Sequence, residues 1–245
     1  EWHLSLSKIE HNFSSPSHII LDDFSFGHDG QPAVLVAKRV DLGLALIQFS
    51  DPLHFSSLEL RDGEVNLANL TPGSALPIQA DRLQLNNMRI DSPNSTLPLF
   101  AQQVNGGILP WKPTALDMLG RDARFQMSAG SMTLNKVPAE NVLIQGSVFE
   151  GRMRFDNMGA DLARGSMTGN GERDAQGNWK INQLRLNDIR LQTASSLKDF
   201  LHSLQVVPSI AITRLDMTDA RLQGPDWAVT DLDLTLRNVN WQGDD

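Results

Sequence analysis

Apolar residues recur along this chain at intervals of two, three and two, and that spacing constrains the fold more than any other feature. It occurs as Ile19, Leu21, Phe24, Phe26 and as Val40, Leu42, Ala45, Ile47. It returns as Leu83, Leu85, Met88, Ile90, as Leu184, Leu186, Ile189, Leu191, and as Leu215, Met217, Ala220, Leu222. Two weaker copies place glycine third: Leu58, Leu60, Gly63, Val65 and Phe125, Met127, Gly130, Met132. A step of two is strand alternation, with one face apolar and the other wet. A step of three breaks that period, and the cheapest way to return to the same face is one extra residue, a β-bulge or tight bend. The residues at the break, as in Asn86-Asn87, Asn187-Asp188 and Thr218-Asp219, tolerate the backbone angles such a bend requires. The expected sheet is therefore strongly twisted and curved. Unequal intervals between copies exclude a fixed-period solenoid.

Helical signal is sparse. Ser196-Leu197-Lys198-Asp199 reads as a capping box, and Leu197, Phe200, Leu201 and Leu204 give one amphipathic helix ended by Pro208. A short helical turn is expected over Thr114–Leu119, with Gly120 as its stop. His28-Asp29-Gly30 and Asp174-Ala175-Gln176-Gly177 signal hairpins, while Pro93–Pro98 and Gly106–Pro113 read as irregular loops. With 245 residues and no sharp compositional break, the reading is a single domain over residues 1–245. Roughly a dozen apolar-faced strands need a cover that two short helices cannot supply. Either the sheet folds over on itself as a sandwich or barrel, or it curls into a trough lined with Leu, Ile, Val, Phe and Met. A trough exposes more apolar surface than a soluble monomer tolerates and so demands a greasy ligand.

The chemistry-bearing residues are scattered. Cysteine is absent, which removes thiol catalysis, Cys-type zinc sites and disulfides together. The six histidines form no H-x-H or H-E-x-x-H pair, so no metal site is expected. Asp22 and Asp23 are strand neighbours pointing to opposite faces, and the acidic groups at Glu59-Asp62-Glu64 read as solvated charge. Gly146–Gly151 has half of a phosphate-loop spacing, but Arg152-Met153 follows where Lys-Ser/Thr is needed. No G-x-S-x-G elbow exists. No catalytic residue and no cofactor are assigned, and a β-rich hydrolase lacks an acid/base pair to nominate. A net charge of −8 leaves nothing to displace counterions from phosphates, so nucleic acid is excluded as a partner. No run of about 18 apolar residues spans a membrane. The chain opens at Glu1 and ends in Gln242-Gly243-Asp244-Asp245, so both ends read as boundaries of a piece whose anchor lies outside it.

Longer stretches carry a family resemblance. Val40-Asp41-Leu42-Gly43-Leu44 leading to Leu58-Glu59-Leu60-Arg61-Asp62-Gly63-Glu64-Val65-Asn66-Leu67 resembles the amino-terminal signature of AsmA-type proteins. Gly107-Ile108-Leu109-Pro110-Trp111, Asn141-Val142-Leu143-Ile144-Gln145-Gly146, Asp188-Ile189-Arg190-Leu191-Gln192 and Leu222–Leu234 resemble one member of that family in order along the chain. The resemblance implies an N-terminal inner-membrane anchor absent from this sequence and a periplasmic body of repeated strands. It further implies a curled β-sheet with an elongated hydrophobic groove, and phospholipid movement toward the outer membrane. No catalytic motif comes with it.

Together these readings give a mainly β chain: a long, twisted, curled antiparallel sheet forming an elongated groove, with one or two short helices. The expected function is non-enzymatic lipid binding and transfer in the bacterial envelope. Acyl chains would lie against Leu83, Leu85, Met88, Ile90, Leu184, Leu186, Ile189 and Leu191. A dozen strands at about 4.8 Å give about 60 Å of groove, too short to bridge two membranes alone. Partners would be a phospholipid, the inner membrane and an outer-membrane component. The rival reading is an interaction module for outer-membrane protein assembly with a closed, dry core, which a partner joins by strand addition.

Overall fold

The computed structural model describes residues 1–11, 17–95, 97–115, 117–192, 202 and 207–243. The expected helix over Leu197–Leu204 lies, His202 aside, outside the described residues. Strand makes up 68% of the described residues and no helix among them reaches seven residues, so the molecule is mainly β, in one large curled sheet. Its strands are β1 (Trp2–Ser5), β2 (Lys8–His11), β3 (His18–His28), β4 (Leu35–Gly43), β5 (His54–Phe55), β6 (Ser57–Asn66), β7 (Gln79–Ala80), β8 (Leu83–Ser92) and β9 (Leu99–Leu109). They continue as β10 (Asp122–Leu134), β11 (Val137–Phe149), β12 (Arg152–Leu162), β13 (Gly165–Arg173), β14 (Trp179–Asn187), β15 (Arg190–Gln192), β16 (Ser209–Gln223) and β17 (Ala228–Gln242).

The main sheet runs β3-β4-β6-β8-β9-β10-β11-β12-β13-β14-β16. β1 and β2 pair in turn along the edge of β3 away from β4, β15 pairs with β16, and β17 pairs with β16. β5 and β7 make a separate two-stranded sheet at one rim. Most neighbours in the main sheet are antiparallel, as expected, but β6–β8, β14–β16 and β15–β16 are parallel. This corrects the expectation of a purely antiparallel sheet. A parallel neighbour requires the chain to travel back from one rim to the other, and Leu67–Arg82 makes that journey between β6 and β8. Asn66 Oδ1 caps its first turn by accepting from Ala68 N–H at 3.1 Å, and Asn69 Nδ2 ties it to Ala33 O. At the opposite rim Ala80 bridges Trp111.

The breaks in the apolar spacing are bends. Asp23, Asp62, Asn87, Asp188 and Asp219 all have φ between 51° and 56°, each between the second and third apolar residues of its copy. Asn and Asp enter this left-handed region more readily than bulky or branched residues. Neighbouring strands share the crease. Asn87 Nδ2 donates to Asp62 Oδ1 at 2.8 Å, Asn87 N–H donates to Asn105 Oδ1 at 2.9 Å, and Asp219 N–H donates to Asp233 Oδ1 at 3.0 Å.

Two copies depart from the pattern. β4 stops at Gly43, where a Cβ would sit 2.1 Å from Ser57 Oγ, and Leu46–Phe49 forms a 3-10 turn instead of further strand. β10 runs straight through Gly130, and the left-handed residues fall beside it at Gln103 and Asn141. Gly106–Leu109 belongs to β9 and not to a loop. Gly106, at φ 138°, lets β9 approach β10 so closely that a Cβ would lie 2.1 Å from Gln126 O. Over 114–119 the described residues show a turn, held by the 3.0 Å bond from Asp117 N–H to Thr114 Oγ1, and no helix. Both expected hairpins form, with Gly30 and Gly177 at positive φ.

The continuous core runs from β3 to β12, from Leu21 and Phe24 to Phe155 and Ala160. The β6–β8 crossover adds Leu76 and Ile78 to it, and the β5 and β9–β10 rim segments add Phe55 and Trp111. Beyond β12 that core ends: Ile189, Val207 and Ala220 are buried outside it.

Candidate functional site

One face of the sheet carries the apolar copies, apart from Ala45 and Ile47 beyond the end of β4, and its two halves differ in what covers them. Under the crossover, Leu83 and Leu85 are buried and Met88 is 0% exposed, with Ile90 partly covered. The equivalent residues of β14 and β15, Leu184, Leu186 and Leu191, are half-buried, and only Ile189 is enclosed. The structure therefore sets the eight sequence-nominated residues on the same face of the sheet but in two environments. Leu83, Leu85 and Met88 pack as core, and the β14 residues face a more open surface.

Strand register extends that open surface into rows. Leu184 pairs with Leu215, and Leu215 with Leu236. One step along, Leu186 pairs with Met217, and Met217 with Leu234. On the other side Leu184 pairs with Gly169, which pairs with Met158. A Cβ on Gly169 would lie 3.4 Å from Leu184 Cδ1 and 3.5 Å from Met158 Cε, so the glycine is a notch between the two side chains. The row Met158–Gly169–Leu184–Leu215–Leu236 crosses four strand spacings, about 19 Å. Exposure grows outward along both rows, to 39% at Leu236 and 36% at Leu234.

Aromatic rings mark the boundary between the two halves. Phe125 meets Phe155 edge-on at 5.7 Å, and Phe155 stacks on Trp179 at 5.4 Å. Trp2 stacks on Phe26 at the far end of the sheet and Trp111 is buried, so these two are packing residues, whereas Trp227 is exposed.

Polar chemistry lies on the outer face and at the turns. The Thr235 hydroxyl and then Arg214 hold the Asp216 carboxyl below the ordinary carboxylate range. Asp174 is lowered too, chiefly by the backbone N–H of Asn178 at 2.9 Å. Among the described residues no group of three or more His, Asp or Glu could hold a metal ion. None of the side-chain polar atoms in those residues is both buried and without a hydrogen-bond partner. No helix among the described residues is long and apolar enough to cross a membrane.

Sequence reasoning missed Leu215, Met217, Leu234 and Leu236 as neighbours of the nominated residues. The signal was present, since Leu215 and Met217 open a copy of the same spacing and Leu232, Leu234 and Leu236 alternate. What the sequence does not carry is the parallel β14–β16 junction that lays these rows side by side.

One large curled sheet of creased, apolar-faced strands defines the structural class. The chain belongs to the AsmA family. Over all 245 residues it is 53% identical to the AsmA family protein YicH of Escherichia coli (strain K12). The chain spans 43% of that relative's length. No family model matches the chain.

Proposed function

We propose that this chain is a non-enzymatic lipid-binding segment of an envelope protein, which holds phospholipid acyl chains in an elongated apolar groove on the inner side of its curled sheet. The observation that carries the reading is the unequal cover of one apolar face. Leu67–Arg82 covers β6 to β8, whereas the rows through Leu184 and Leu186 stay half-buried. A methylene chain laid along such a row gains about 0.8 kcal/mol for each buried CH₂. The headgroup would remain in water, where the acidic chain offers it little charge attraction. The family supports a setting in the bacterial envelope, and the proposal extends this to a periplasmic body anchored in the inner membrane and working between the inner and outer membranes.

The test is lipid loading of Leu186→Asp. A charge placed in the open row should abolish co-purifying phospholipid while the fold persists, because Leu186 is only half-buried. Full loading in a folded Leu186→Asp protein would refute the groove.

A second reading has its own observation. β17 is 15 residues long and, among the described residues, pairs only with β16. An unpaired edge of that length is a template for strand addition. A closed, dry interaction module that joins an outer-membrane partner along β17 would bind no lipid and would keep wild-type behaviour in Leu186→Asp.

A further inference from the structure

The turn between β4 and β5 presents apolar side chains to solvent in a way the rest of the fold does not explain. Leu46 is 84% and Phe49 90% exposed, with Ile47 and Leu53 beside them also exposed. Leu46 and Phe49 open and close a single 3-10 turn. At three residues per turn they stack on one side of it and project together. We propose that this turn is a membrane-contact element, whose Leu46 and Phe49 side chains enter the interface of an electrically neutral lipid bilayer.

Three observations select a bilayer over a protein as the occupant. First, several of the turn's backbone groups are bonded within the turn. Ala45 N–H donates to Gln48 Oε1 at 2.5 Å, and Gln48 N–H donates to Ala45 O at 3.1 Å. Ser50 and Asp51 N–H both donate to Ile47 O, the Ser50 hydroxyl donates to the same oxygen, and Gln48 Nε2 donates to His54 O. Segments entering hydrocarbon must satisfy backbone groups internally, whereas a strand-adding partner would need them free. Second, the projecting tip is too small to make a stable protein interface, which buries at least about 1,200 Å². Two isolated apolar side chains are nevertheless effective in a lipid interface. Third, Leu44–Leu53 carries no Lys or Arg and a single charge, Asp51. With the chain at −8, anionic lipid would repel it, so the fitting surface is zwitterionic.

The base of the turn is fixed. His54 Nε2 lies 2.6 Å from Asp81 Oδ1, and β5 pairs with β7, so the tip is held on the rim. Leu109 and Phe149, at the ends of β9 and β11, are exposed on the same rim by strand register. That rim is therefore the edge that approaches the bilayer.

The chain has no cysteine, so Phe49→Cys offers a unique labelling site. An environment-sensitive fluorophore there is mixed with phosphatidylethanolamine/phosphatidylcholine vesicles, and the same label on Gln31→Cys, exposed at the opposite rim, is the control. We expect a blue shift and quenching by brominated acyl chains at position 49, with neither at position 31. The unlabelled Leu46→Ser/Phe49→Ser double variant should lose about tenfold or more of its vesicle partitioning while keeping its circular dichroism. Adding phosphatidylglycerol should not strengthen binding. Equal signals at both positions, unchanged partitioning of the double variant, or a steep gain with phosphatidylglycerol would each overturn the proposal. Leu186→Asp should still bind vesicles, so the groove and the contact turn fail or survive separately.

Discussion

Met88 and Leu186 occupy matching places on one face, and truncating each to alanine separates core from open surface. Met88 is wholly enclosed beneath the β6–β8 crossover. Met88→Ala leaves a cavity that a close-packed sheet cannot collapse into, at a cost of about 2–5 kcal/mol. Leu186 is half-buried and its neighbours can relax toward solvent, so Leu186→Ala should cost about 1 kcal/mol. The difference of about 2 kcal/mol corresponds to urea midpoints roughly 0.7–1 M apart for a slope of about 2–3 kcal/mol/M. The assay is urea unfolding followed by tryptophan fluorescence, with Trp111 and Trp179 reporting on either side of the boundary. Equal destabilisation by the two variants would mean that the β14 rows are ordinary core, and the argument from unequal cover would fall.

Three further outcomes follow from particular residues. Asp188 sits at φ 56°, so Asp188→Gly should change stability by only a few tenths of a kcal/mol. Asp188→Val should lose about 1–2 kcal/mol in the same urea assay. The Asp174 carboxylate accepts from Asn178 and Gln176 N–H, which lowers its folded pKa. Its contribution is therefore present above the ordinary Asp value and lost as pH falls through the folded pKa. Asp174→Ala should cost about 1 kcal/mol at neutral pH, and the gap from wild type should narrow below about pH 4 in thermal melts. The unpaired β17 edge should give concentration-dependent association in sedimentation velocity, and a strict monomer at high concentration would refute an accessible edge.

The creases were legible because they are local. Asp23, Asn87, Asp188 and Asp219 stand where the apolar period breaks, and their residue types suit the left-handed angles that the structure shows. Copies ended early where tertiary contact prevailed, as at Gly43 against Ser57. The parallel junctions were not legible, because a strand's pattern says which face is apolar and nothing about which strand lies beside it. For the same reason Leu83–Ile90 and Leu184–Leu191 read identically in sequence. What separates them is Leu76, Ile78 and Trp111 arriving from elsewhere in the chain. Gly106–Leu109 read as loop because its glycines signal turns locally, whereas Gly106 serves close approach of two strands.

Lipid loading is read by native mass spectrometry of the purified chain, followed by organic extraction and lipid analysis, with a β-sandwich of similar size as control. Adducts of phospholipid mass are expected on the wild-type chain and should vanish in folded Leu186→Asp. An apo mass alone under gentle ionisation, with no lipid in the extract, would contradict the lipid-binding groove.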